Sequence, residues 1–376
     1  MQKRKSLTLK LVIFASVPIL LMSCMSLVGN ISATEKVSSS PTVVQGTQES
    51  TLAPSLLAEW TIGNPQDIAW SPDSKLFAIN YVMDGNNFVQ AFSVETFKSV
   101  WTASNSLASD LVFTPDGQFI VESNIHVPLF YWRNIHQGNI VHMGEFKDVE
   151  HIANGSCSGG GQVMIENAKG DFAVIADYNE VFGLNGPGLV FVRQLDLETG
   201  KCKELFNYQD PSLDFFFDLN SSGTLLAYGV ADKDDSIVIW DMEKQSEVCH
   251  ISPVLFERFV PSGNTLAVVQ DQKMVFFNAT TCKEIRELNV SPLSGYETYL
   301  AFSPNGEEFA IAKDSIQIMN VSTGDILTQI AIPKNAYLNS SKLFWSGIKF
   351  SPDGRYLLIT YTTSNANEIQ LWQLKQ

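Results

Sequence analysis

The sequence predicts an all-β fold, a seven-bladed β-propeller built from four-stranded antiparallel blades. Three observations lead to this prediction: a turn phrase that recurs along the chain, apolar segments of strand length on both sides of it, and one spare strand before the first blade. A single unit of this kind cannot bury both of its faces. The copies are therefore expected to stack around a common axis.

The recurring phrase reads aromatic residue, small or polar residue, Pro, Asp or Asn, then Gly or Ser. Its clear copies are 70–74, 113–117, 302–306 and 350–354, a close variant is 259–263, and weaker copies are 167–170 and 220–223. Proline presets φ at the first turn position, Asp or Asn bonds to nearby backbone, and Gly accepts positive φ. Each phrase therefore predicts a tight hairpin between two buried strands.

The spacing of the phrase sets the size of the repeating unit. Its last residue falls at positions 74, 117, 170, 223, 263, 306 and 354, so successive copies are 43, 53, 53, 40, 43 and 48 residues apart. A period near about 40–45 residues with four strands per unit is typical of a propeller blade. Third strands are expected at 237–241, 316–320 and 369–373, and fourth, outer strands at 282–288 and 326–330.

These segments resemble the WD-repeat and Tol-type propeller families over residues 56–376. The Ser-Pro-Asp-Gly turn is common to both families, and Ile239-Trp240-Asp241 matches the third-strand ending of WD repeats. No Gly-His pair precedes the first strands, and only one third strand ends in Trp-Asp. The His–Asp hydrogen-bond network of the strict WD family is therefore not expected here.

The two ends of the repeat region predict how the ring closes. Blade seven has strands expected at 347–351, 356–362 and 368–374, with no fourth strand after them. Residues 56–62 precede blade one, alternate like a half-buried strand and have no blade of their own. We expect this N-terminal strand to complete blade seven, which would leave no open edge there.

Residues 1–23 predict a signal peptide. Four basic residues lie within the first ten, and an apolar run over 11–22 follows that is too short for a membrane span. The run ends Leu21-Met22-Ser23-Cys24, which resembles the bacterial lipoprotein signal. This resemblance implies that Cys24 is lipidated and that the protein is exported and anchored in a bacterial envelope. An ordinary secretory signal, cleaved after Ala33 for example, is the alternative.

The segment 24–55 predicts a flexible tether, because it is rich in Ser, Thr and Val and keeps no helical or strand period. The chain carries 25 Lys+Arg against 40 Asp+Glu, a net charge of −15. A field of this sign repels phosphate backbones and anionic lipid. We therefore expect no nucleic-acid partner, and membrane contact through the lipid anchor only.

The other cysteines are Cys157, Cys202, Cys249 and Cys282. An even number in an exported chain permits disulfides, and the lack of a Cys-x-x-Cys pair argues against zinc. Three pairings remain open. Cys157 with Cys202 and Cys249 with Cys282 would close the shortest loops, and free buried thiols are an equal alternative.

Three longer connections, 147–160, 177–187 and 332–343, mark a candidate binding face. In propellers, second-to-third and fourth-to-first connections open on the same side, and long loops of compact domains often carry function. The candidate binding residues on these connections are His151, Asp177, Tyr178, Glu180, Phe182 and Tyr337.

No metal site, cofactor or catalytic residue is predicted. The histidines of the 126–151 region lack ligand spacing, Asp232, Asp234 and Asp235 lack the distal Glu of a calcium loop, and Ser158 lacks a nucleophile context. The sequence thus predicts a non-catalytic binding or scaffolding propeller for a protein or peptide partner. The alternative is a propeller enzyme acting on a sugar or lactone with a metal near the axis, a hypothesis by fold analogy.

Overall fold

The structure is a computed structural model. The residues it describes are 42–43, 53–104, 108–124, 129–145, 162–166, 172–179, 188–197, 202–210, 217–230, 236–252, 254, 256–270, 273–290, 299–312, 315–333, 336–338, 347–364 and 366–374. All of them belong to one compact unit, Ser39–Gln376. This part of the chain consists of strands and turns, and it offers no apolar helix of membrane-spanning length.

The strands form seven sheets, in agreement with the predicted seven-bladed propeller. Two strands, β1 (Thr42–Val43) and β2 (Ser55–Ile62), precede blade one. Blade one contains β3 (Asn64–Trp70), β4 (Leu76–Met83), β5 (Asn86–Ser93) and β6 (Ser99–Ser104). Blade two contains β7 (Ala108–Phe113), β8 (Phe119–Asn124), β9 (Leu129–Asn134) and β10 (Ile140–Glu145). Blade three contains β11 (Gln162–Glu166), β12 (Phe172–Asn179), β13 (Gly188–Asp196) and β14 (Cys202–Asp210).

The second half of the ring repeats this plan. Blade four contains β15 (Phe217–Leu219), β16 (Leu225–Val230), β17 (Ser236–Asp241) and β18 (Ser246–Ile251). Blade five contains β19 (Phe256–Phe259), β20 (Thr265–Gln270), β21 (Lys273–Asn278) and β22 (Lys283–Asn289). Blade six contains β23 (Tyr299–Phe302), β24 (Glu308–Ala312), β25 (Ser315–Asn320) and β26 (Ile326–Ala331). Blade seven contains β28 (Ile348–Phe350), β29 (Tyr356–Thr362) and β30 (Asn367–Gln373), preceded by the short β27 (Tyr337–Leu338).

Each blade is an antiparallel sheet, and in blades one to six the strands follow chain order from the innermost to the outermost. The first strands of neighbouring blades touch around the axis, as β3 touches β7 and β15 touches β19. Apolar side chains then fill the space between blades. Between blades seven and one, for example, the ring of Trp60 lies 5.5 Å from that of Phe77 and 5.1 Å from that of Phe92.

The predicted closure of the ring is confirmed. β2 pairs with β30 from Ser55 opposite Gln373 to Ile62 opposite Asn367, and it forms the outer strand of blade seven. Two further pairings extend this sheet. β1, which lies in the segment predicted to be a tether, pairs with β2 through Thr42 opposite Glu59, and β27 pairs with the end of β29.

Every outer strand contains a β-bulge, which the sequence analysis did not anticipate. The residue left unpaired is a large aliphatic one in all seven blades: Leu57, Val100, Val141, Leu205, Val248, Ile285 and Leu327. A bulge bends an edge strand and interrupts its row of free hydrogen-bonding groups. In blades one to six this disfavours pairing of the outer strand with other chains, whereas the bulged β2 of blade seven pairs with β1.

One of the disulfide pairings left open by the sequence is present. Cys249 of β18 is bonded to Cys282, in the turn before β22, so the bond joins blade four to blade five. Cys202 begins β14, where its side chain is outside the described part of the structure, and Cys157 lies outside the described residues. Their predicted pairing stays a prediction.

Candidate functional site: two unlike faces of the propeller

The strand order divides the propeller into two faces with different connections. We call the side formed by first-to-second and third-to-fourth connections the turn face. Five residues separate the first and second strands of every blade, as at 71–75 and 351–355, and the third-to-fourth connections have four or five. We call the opposite side the variable face. Its connections range from one residue, Gly63 between β2 and β3, to sixteen between Glu145 and Gln162.

The uniform length of the first turns follows from their side chains. Ser71 Oγ accepts a hydrogen bond from Leu76 N at 2.9 Å and donates to Asp73 Oδ1 at 2.8 Å. Asp73 Oδ1 in turn accepts from Lys75 N at 3.1 Å. The same three bonds recur in the turns that begin at Thr114, Ser303 and Ser351. The predicted turn chemistry is thus present, and it fixes the loop to one length.

These turns also bind one another from blade to blade. Asp353 N donates to Ser74 Oγ at 3.1 Å and connects blades seven and one. Asn220 Nδ2 donates to Asn264 Oδ1 at 2.7 Å and connects blades four and five. Polar groups of the turn face therefore help to hold neighbouring blades together at these two positions.

Charged side chains on the first strands form a second set of contacts, close to the axis. Asp67 Oδ2 of blade one accepts from Leu111 N of blade two at 2.8 Å. Lys349 of blade seven bonds to Asp67 Oδ1 at 3.2 Å and donates to the carbonyl of Ile68. Asp67 therefore links three consecutive blades and is itself buried.

Blades four and five carry a similar contact. Asp218 Oδ2 accepts from Phe259 N at 2.5 Å, and its Oδ1 lies 3.7 Å from the guanidinium of Arg258. Glu257 is only 2% exposed, and its Oε2 has no hydrogen-bond partner among the described residues. Burial raises the pKa of Glu257 to about 8, against the effect of Arg258, and burial also raises the pKa of Asp218.

These axial side chains are the polar residues that the sequence analysis missed. A signal for them exists, since each is a charged residue in a first strand, one to three positions before an aromatic or leucine residue that ends the strand. Their described contacts run between blades. In the described part of the chain, no three His, Cys, Asp or Glu side chains are grouped so that they could hold a metal ion.

Three of the six predicted binding residues lie among the described residues, and the other three lie outside them. Asp177 and Tyr178 are paired within β12, opposite Phe191 and Val190, so the connection that follows begins at 180, and the predicted start at 177 was wrong. Backbone pairing with β13 continues to Asn179, opposite Leu189, which the polar composition of this segment concealed. Tyr337 lies in β27 opposite Thr362.

All three of these residues lie where their strands end at the variable face, as the strand order requires. His151, Glu180 and Phe182 are outside the described residues, as are His126, Ser158, Asp232, Asp234 and Asp235. His136 is an exposed residue of the turn between β9 and β10, and His142 lies within β10.

Comparison with known proteins supports the propeller interpretation. No family model matches the chain. A BTB/POZ domain and WD-repeat protein of Acanthamoeba polyphaga mimivirus is 26% identical over 162 residues, which is 41% of this chain and 31% of the relative. The matched part therefore spans about a third of that protein. A chain in the crystal structure of a mitotic checkpoint complex superposes with a TM-score of 0.59 at 13% identity, covering 90% of this chain and 97% of that one.

The identity to the checkpoint-complex chain is too low to show more than a shared fold, and the viral relative matches over less than half of this chain. Together with the seven described sheets, these comparisons identify the chain as a β-propeller similar to WD-repeat propellers.

Proposed function

We propose that this chain is a non-catalytic binding platform, held at a bacterial cell envelope through a lipid on Cys24, that presents its variable face to a protein or peptide. The contrast between the two faces carries the proposal. The turn face has connections of four or five residues, some of whose polar groups bond between blades, whereas the variable face has connections of one to sixteen residues on a rigid ring. Loops held by a rigid scaffold lose little conformational entropy on binding.

The chemistry of the described residues favours binding over catalysis. An enzyme of this fold acting on a sugar or lactone would need free carboxylates or a cation near the axis. Asp67 and Asp218 instead bond to the backbone of the next blade, and Glu257 is too buried for a substrate to reach. The WD-repeat relative and the checkpoint-complex neighbour are consistent with a role in protein assembly.

The disulfide supports export. Cys249 and Cys282 are bonded, and disulfides persist in oxidising compartments outside the bacterial cytoplasm. Together with the Leu21–Cys24 signal, this favours a lipid-anchored protein of the envelope. Mass spectrometry of the purified full chain tests this part: a diacylated N-terminal Cys24 is expected, and an unmodified or absent Cys24 would refute it.

Site-specific photocrosslinking in native membranes tests the binding face. A benzophenone amino acid replaces Asp84, exposed on the variable face, and in a matched variant it replaces Asp116, exposed on the turn face. We expect a reproducible crosslinked protein from position 84 and none from position 116. The same product from both positions, or a product from position 116 alone, would refute the assignment of the face.

A further inference from the structure

A polar cluster lies where the N-terminal strand closes the ring. Glu59 is on β2, opposite Gln370 of β30. Glu368, also on β30, is opposite Tyr361 of β29. The three strands place these four side chains next to one another across blade seven, so the cluster joins the strand that completes the ring to the strands that precede it.

The distances within the cluster are those of strong hydrogen bonds. Tyr361 Oη lies 2.6 Å from Glu59 Oε1 and 2.5 Å from Glu368 Oε2. Gln370 Nε2 donates to Glu59 Oε1 at 2.7 Å and to Tyr361 Oη at 2.9 Å. Trp372 Nε1 donates to Gln370 Oε1 at 2.9 Å, which fixes the orientation of the amide. The two amide hydrogens of Gln370 are therefore both used, one in the bond to Glu59 and one in the bond to Tyr361.

Counting hydrogens shows that one is missing if both glutamates are ionised. A phenol has a single hydrogen and can donate to one carboxylate only. The second short contact would then bring two oxygens to about 2.5 Å with no hydrogen between them, at a site where Tyr361 is 1% exposed. With a proton on Glu368, its hydroxyl donates to Tyr361, Tyr361 donates to Glu59, and every contact is satisfied.

We propose that blade seven closes around one retained proton, held between Glu368 and Glu59 by Tyr361, so that the N-terminal strand is bound more tightly at acidic than at alkaline pH. The surroundings support this assignment. Burial raises the pKa of Glu368, the hydrogen bond with Tyr361 lowers it and the neighbouring Glu59 raises it, so that the pKa is raised as a whole. Because folding raises the pKa of Glu368, the proton stabilises the closed blade fully at pH values below the unfolded-state pKa. This stabilisation is lost as the pH rises through the folded-state pKa.

The other groups that face the cluster do not replace the proton. On the side of blade six, Tyr361 belongs to an apolar cluster that includes Ala312, Ile316 and Ile330. β1 brings Thr42 opposite Glu59, and β27 brings the titratable Tyr337 opposite Thr362. Lys349, the cation of β28, is bonded to Asp67 of blade one instead.

Amide hydrogen exchange of the full chain tests the proposal. The readout is the protection of the amides of 58–62 between pH 5 and pH 9, corrected for the intrinsic exchange rate. We expect the protection of these amides to fall as the pH rises. The total fall should be roughly tenfold for each unit by which folding raises the pKa of Glu368. Glu368→Gln mimics the protonated acid, since its amide donates to Tyr361, and should keep protection high at all pH values.

Two further variants separate the proposal from a merely structural role. Tyr361→Phe removes the shared hydroxyl and should lower protection at every pH, while burial and the neighbouring Glu59 continue to raise the pKa of Glu368. Glu243→Gln, an exposed residue between β17 and β18, should behave as the wild type. Protection in the wild type that is constant or rises with pH would refute the proposal. So would a loss of protection in Glu368→Gln equal to that in Tyr361→Phe.

Discussion

Breaking the bond between Cys249 and Cys282 should destabilise the propeller by an amount that the structure allows us to estimate. The bond closes a loop with a sequence separation of 33 residues. In the chain-entropy description, a cross-link of this length stabilises the folded protein by about 3.7 kcal/mol, because it restricts the unfolded chain. With an unfolding entropy of about 2.1 cal/mol/K per residue over the length of the propeller, the melting temperature should fall by about 5 °C.

The measurement is thermal unfolding followed by circular dichroism, with and without reductant. The double variant Cys249→Ser, Cys282→Ser is the control, because a reductant can no longer act on this bond in it. We expect the reductant to lower the melting temperature of the wild type to that of the double variant. If wild type and variant unfold at the same temperature in the absence of reductant, the bond does not constrain the unfolded chain and the estimate is wrong.

Two further predictions concern blade two and its contact with blade one. Arg133→Met should cost about 3–5 kcal/mol in urea unfolding, because Glu122, 3.1 Å from the guanidinium with its side chain 1% exposed, is a buried charge that loses this cationic partner. Restored stability on adding Glu122→Leu would support this reason, and a single-variant loss below about 1 kcal/mol would contradict it. Gly138→Ala should destabilise the protein more than Gly85→Ala. Both glycines have positive φ, +69° and +76°, so the backbone strain of an alanine is similar at the two positions. A Cβ at Gly138 would lie 2.8 Å from the indole of Trp101, whereas a Cβ at Gly85 would meet open space. Equal melting temperatures for the two alanine variants would rule out that steric reason.

The sequence was sufficient for the architecture because the information is local and repeated. The phrase at 70–74 contains the Ser, Pro and Asp that build its turn, and the hydrogen bonds of Ser71 and Asp73 are those that these residue types favour. The closure by 56–62 could also be predicted, since a three-stranded last blade and an unassigned first strand complement each other. Both inferences use only residue types and their spacing.

The polar contacts that hold the ring together could not be predicted, because they join residues distant in sequence. Asp67 bonds to Leu111 and Lys349, and Tyr361 to Glu59, across separations of 44 to 302 residues. The extent of β12 was also misjudged, since pairing of Asp177 with Phe191 depends on a strand that follows a connection.

By itself, the sequence determined the number of blades, the turn that repeats in them and the strand that completes the ring, because residue preferences at a fixed period act within each unit. Tertiary structure alone decided which charged side chains meet at the axis, which cysteines bond, and that two glutamates share one tyrosine. These contacts depend on the register and angle between blades, which are set by packing around the whole ring and not by any one segment.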